Sequence, residues 1–136
     1  SNKKIYAIKP LTFMNNSGIC IRELIEYFKI TIDDVIVFHD DLDIDFGKIK
    51  TKFGGSTAGH NGIASIDKFI GKDYSRVRIG IGKPKENIEV GDFVLQNFDE
   101  DEMLNIEKIS DNINNSISIL VEKKLDLFSS TVNNTK

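Results

Sequence analysis

The chain has 136 residues, 40% of them hydrophobic and 29% charged, with a formal net charge of −3, a size and balance that suit one domain with a core of its own. The one cysteine, Cys20, excludes an internal disulfide framework and suits a reducing compartment. No apolar run approaches membrane-spanning length, and Ser1-Asn2-Lys3-Lys4-Ile5 lacks the core of a signal peptide, so a soluble cytoplasmic protein with no membrane partner is expected.

In chain order, Ile5-Tyr6-Ala7-Ile8 reads as a short strand stopped by Lys9-Pro10. Asn15-Asn16-Ser17 either turns the chain and caps the next helix or supplies polar groups to a site. Between Ser17 and Phe28, apolar residues at Cys20, Ile21, Leu24, Ile25 and Phe28 follow helical spacing, and Arg22, Glu23 and Glu26 remain for solvent. Val35-Ile36-Val37-Phe38 is a β-branched apolar run of the kind a buried strand carries, and it ends in His39-Asp40-Asp41.

Lys48, Lys50 and Lys52 alternate with Ile49, Thr51 and Phe53, which puts three lysines on one face of a strand. Gly62 to Gly71 reads as a helix with Ile63, Ile66 and Ile70 inward. Arg76 and Arg78 alternate with Val77, Ile79 and Ile81, and if this strand shares a sheet with the lysine strand the cations can gather. From Lys48 to Arg78 seven basic residues face two acidic ones, a local excess able to guide a polyanion even in an acidic protein. Met103, Ile106, Ile113, Ile117 and Leu120 outline a long helix, with Asp99 and Glu102 at capping-box spacing. Residues 129–136 read as a frayed, flexible tail.

Glycines 54, 55, 59 and 62 enclose His60-Asn61 in a loop that opens a helix, a composition better suited to backbone contact with a ligand than to packing. Two near-matches fail: the position of a P-loop lysine is held by His60, and Gly80-Ile81-Gly82 lacks the third glycine of a dinucleotide fingerprint. Asp41, Asp43 and Asp45 alternate like calcium ligands, but Lys52 stands where the bidentate glutamate is needed, so no metal site is expected. His39-Asp40 lies at the carboxyl end of a strand, where open α/β sheets place ligand groups; a loop-capping aspartate is the alternative there, as a simple turn pair is for His60-Asn61.

Four segments in order then resemble the bacterial peptidyl-tRNA hydrolase family: Lys9-Pro10-Leu11-Thr12-Phe13-Met14-Asn15-Asn16-Ser17-Gly18, the run Val35 to Asp43, Gly59-His60-Asn61-Gly62, and Arg76-Val77-Arg78-Ile79-Gly80-Ile81-Gly82-Lys83-Pro84. The resemblance implies a single α/β domain over residues 1–128, with a mixed twisted sheet flanked by helices, and hydrolysis of the ester that joins a peptide to tRNA. It implies peptidyl-tRNA as partner, no cofactor, and a monomer when complete. Carried over, Asp40 orients the catalytic histidine, Asn15 and Asn61 bind the substrate and place water, His60 supports its loop, and Lys50, Lys52 and Arg78 grip tRNA phosphate. The family's leading strand, loop and histidine-bearing segment has no counterpart ahead of Ile5, so an N-terminally incomplete domain with impaired catalysis is expected. A non-catalytic RNA-binding member of the same fold, as in plant chloroplast intron splicing, is the main alternative, and a small-molecule phosphate-binding domain is a third.

Overall fold

The structure is a computed structural model that describes residues 4–10, 16–57, 59–83, 89 and 98–134. Its elements are α1 (Ser17–Phe28), β1 (Ile36–Asp41), β2 (Ile49–Phe53), α2 (Asn61–Ile70), β3 (Ser75–Gly80), α3 (Glu100–Val121) and α4 (Leu125–Asn134), with a short 3-10 turn at Ile32–Asp34. They sort into two compact units, Ser1–Val35 with Gly54–Tyr74, and Ile36–Phe53 with Ser75–Lys136.

In the first unit α1 packs on α2. The Gly18 N–H donates to Ser65 Oγ at 2.9 Å, and the Arg22 guanidinium lies 4.8 Å from the Phe69 ring centre. Tyr74 is fully buried, with its hydroxyl donating to Asp67 Oδ1 at 2.6 Å, so the apolar ring and its polar tip are both accommodated. Ile63 and Ile66 are buried as their spacing predicts. Two expectations differ. Asn16 holds the N-cap position of α1 but makes no cap bond with its side chain. Ile5 to Ile8 are exposed and form no strand, because no strand among the described residues pairs with them; Tyr6 instead stacks on Phe28 at 4.0 Å.

The second unit is built on a three-stranded mixed sheet in the order β1-β3-β2, with β1 parallel and β2 antiparallel to the central β3. Because strand side chains alternate, one face carries Ile36, Val77, Ile79 and Ile49. Ile49 and Val77, with no exposed surface, join Leu120 of α3 and Phe128 and Val132 of α4 in the core. The predicted capping box starts α3: Glu102 N–H donates to Asp99 Oδ1 at 2.8 Å and Asp99 N–H to Glu102 Oε1 at 3.0 Å. The expected tail is a correction. Residues 129–134 are the second half of α4, held by burial of Val132 and by side-chain bonds to the sheet.

Candidate functional site

The second face of the sheet is cationic. The register sets His39, Arg78 and Lys50 side by side across the three strands, and one rung away Val37, Arg76 and Lys52. Like charges directly opposed across a ladder oppose folding by roughly 0.2–1 kcal/mol per pair, a cost that a carboxylate beside Arg78 offsets on the first rung. Lys50 and Lys52 are exposed, Arg78 is half-buried and Arg76 is buried. Lys48, just ahead of β2, has the same parity. Lys68 and Lys72, counted in the same basic stretch of sequence, belong to the other unit.

Arg78 is held in place by a residue that sequence reasoning passed over. Asp41, the last residue of β1, is buried, and its Oδ2 accepts from Arg78 Nε at 2.9 Å while Oδ1 accepts from the Asp43 N–H at 2.8 Å. The second bond is an aspartate turn that starts the β1–β2 connection. That connection folds over Gly80: Gly47 N–H donates to the Gly80 carbonyl, and Ile81 and Gly82 N–H donate to the Asp41 and Ile44 carbonyls. A Cβ at Gly80 would overlap the Asp45 carbonyl, so only glycine lets the loop close. The signal was available, since a strand carried through Asp41 gives that carboxylate the parity of His39, on the cationic face.

Asp40, the proposed orienting carboxylate, has the opposite parity. It pairs with Ile79 and is half-buried on the face that carries Ile79 and Ile49, so the register separates it from the cation rungs. His39 Nδ1 lies 2.8 Å from the Asp40 backbone oxygen; a carbonyl only accepts, so Nδ1 carries the proton in that bond.

His60 and Asn61 lie in the first unit. Gly54, Gly55 and Gly59 take φ of +71°, +105° and +81°, a conformation other residues enter at a cost, and the loop delivers His60 to the N-cap of α2. There His60 Nδ1 accepts from the N–H groups of Gly62 and Ile63 at 3.1 and 3.2 Å. Nδ1 must therefore be unprotonated, and the ring does the work usually given to serine or aspartate. Asn61 is exposed on the first turn. Asn15 lies outside the described residues. Among the described residues, no helix is long and apolar enough to cross a membrane.

The family model described as peptidyl-tRNA hydrolase matches residues 1–136. A peptidyl-tRNA hydrolase of Pelagibacter ubique is 76% identical over 133 residues, covering 98% of this chain and 72% of that protein. One from Aliarcobacter butzleri is 48% identical over 118 residues, covering 87% and 64%. The crystal structure of peptidyl-tRNA hydrolase from Acinetobacter baumannii superposes with a TM-score of 0.82 at 31% identity, covering 93% of this chain and 65% of that one. The chain thus spans about two thirds of the length of these relatives.

A mixed three-stranded sheet with helices, matched by that solved structure, places the chain in the α/β class. The chain belongs to the peptidyl-tRNA hydrolase family.

Proposed function

We propose that this protein hydrolyses the ester between a peptide and the terminal ribose of tRNA. The observation that carries the reading is the cationic sheet face on which Lys50 and Lys52 are exposed beside half-buried Arg78, in a chain of this family. Exposed cations gathered on one face attract a polyanion and release its counterions on contact. The relatives bearing the name peptidyl-tRNA hydrolase support the ester as the bond attacked.

In the reaction, water adds to the ester carbonyl carbon as a general base takes its proton. The tetrahedral intermediate then collapses, the bond to the ribose oxygen breaks, and that oxygen takes up a proton. A free peptide acid and an uncharged tRNA result. Asp40 orients the base and stabilises its protonated form, as carboxylates do in base–orienter pairs. Asn15 and Asn61 hold the peptide carbonyl and the water, which raises the rate through position. His60 supports Asn61 by capping the helix that Asn61 begins. Lys50, Lys52 and Arg78 grip tRNA phosphate. No metal or organic cofactor takes part, and the protein works in the cytoplasm as a monomer.

A binding-only role is not favoured by relatives that are named for hydrolysis. The test is a single-turnover assay with protein in excess over a labelled peptidyl-tRNA, with the Pelagibacter relative as a positive control. Release of free tRNA by this chain, reduced in Asp40→Asn, is expected. Tight tRNA binding with no release beyond the buffer rate would leave only the binding role.

A further inference from the structure

We propose that Asp41 is a positioning residue for phosphate binding: it holds the Arg78 guanidinium by one edge so that the other edge is presented beside Lys50. The proposal rests on the reading that Lys50, Lys52 and Arg78 grip tRNA phosphate.

The geometry is specific about which edge is used. Asp41 Oδ2 engages Arg78 through Nε at 2.9 Å, and this contact leaves the Nη pair, the fork that matches a phosphate with two parallel hydrogen bonds. Arg78 keeps 27% of its side-chain surface exposed against 6% for Asp41, so the pair is open on the arginine side and closed on the carboxylate side. Lys50 lies directly opposite Arg78 in the register. Unheld, the two cations would swing apart, because each side chain is long and like charges repel across a ladder. Asp41 opposes that motion from inside the sheet.

The carboxylate is itself fixed. Its Oδ1 is bound to the Asp43 N–H, its backbone oxygen accepts from Ile81 N–H at 3.1 Å, and the connection it begins closes over Gly80. An acid held this firmly under an arginine sets a direction, in addition to offsetting a charge.

The two effects have opposite signs in a binding experiment. If Asp41 acts only as a nearby negative charge, Asp41→Asn makes the face more positive and tightens tRNA binding. If it positions Arg78, the same change weakens binding although a negative charge is removed. Asparagine keeps an oxygen for the Asp43 N–H, so the turn has a partner in the variant. The probe is a deacylated tRNA, titrated at several salt concentrations against wild type, Asp41→Asn, Arg78→Gln, Arg78→Lys and the Asp41→Asn/Arg78→Gln double variant.

Loss of one charge-assisted contact predicts roughly tenfold weaker binding in Asp41→Asn and in Arg78→Gln, with little further loss in the double variant. The salt slope should fall by about one in each single variant. In the hydrolysis assay KM should rise while kcat holds. Arg78→Lys leaves Asp41 in place and keeps the charge, but an ammonium has no second edge to present, so it should bind about as weakly as Arg78→Gln; this arm decides the matter even if Asp41→Asn fails to fold. Weakened binding in Arg78→Gln with unchanged or tighter binding in Asp41→Asn overturns the positioning role, as does wild-type binding by Arg78→Lys. Unchanged binding in Arg78→Gln overturns the phosphate grip itself and the proposal with it.

Discussion

Asn133, in the last turn of α4, gives both ends of its side-chain amide to Ile49 at the start of β2. Ile49 N–H donates to Asn133 Oδ1 at 2.9 Å, and Asn133 Nδ2 donates to the Ile49 carbonyl at 2.7 Å. β2 lies at the edge of the described sheet, so its outward backbone groups lack a strand to pair with. The amide stands in for that strand. At the other end of α4, Thr51 Oγ1 donates to the Leu125 carbonyl at 3.0 Å, so one helix closes the edge at two points.

Asn133→Leu should therefore destabilise the protein by about 2 kcal/mol, because the backbone groups of Ile49, whose side chain has no exposed surface, lose their partners. Asn133→Asp keeps the acceptor and loses the donor, and should fall between wild type and Asn133→Leu. Urea unfolding gives both values. tRNA affinity should not change in either variant, and a loss of affinity without a loss of stability would move Asn133 into the binding surface.

Lys50→Ala should trade function for stability. It removes a like charge from opposite Arg78, so the fold should gain roughly 0.2–1 kcal/mol while tRNA binding weakens. Lys50→Glu and Lys52→Glu should weaken binding further, and each neutralised phosphate contact should lower the salt slope by about one. Unchanged affinity in all of these variants would remove the phosphate grip from the site.

Substitutions at His60 separate a cap from a substrate contact. His60→Ala should cost about 1 kcal/mol of stability, since the N–H groups of Gly62 and Ile63 lose their acceptor. Asparagine is a favoured N-cap, so His60→Asn should melt near wild type and retain turnover. A stable His60→Asn with lost turnover would show that the imidazole has a second task.

Asp40→Asn, Asn61→Ala and Asn15→Ala should each lower turnover at least about a hundredfold with melting temperatures close to wild type. Asp40→Asn keeps the size of the side chain and removes the charge that a protonated base needs. If the three variants instead lose stability in step with activity, their side chains are structural and leave the site.

Much of the local architecture could be read from the residues. The helical spacing of Cys20, Leu24 and Phe28, the alternation of Lys48 to Phe53 and the box formed by Asp99 and Glu102 all act within a few positions, and all three elements occur where those patterns predict. The cation rungs were half legible: alternation set the parity of the lysines and arginines, but only the register brought Lys50 opposite Arg78. Ile5 to Ile8 show the converse, because a strand-like composition without a neighbouring strand does not make a strand.

By itself the sequence determined the elements whose hydrogen bonds close nearby, the parity of their side chains and, through four ordered motifs, the family. Tertiary structure decided the rest. Ser129 to Asn134 read as a polar tail until folding brings Ile49 within reach of Asn133, 84 positions away, and Arg78 reads as a free cation until Asp41, 37 positions away, takes its Nε. Such bonds leave no periodic trace in the chain, since their partners are chosen by strand order and helix packing, and a polar residue without its distant partner looks the same as one destined for solvent.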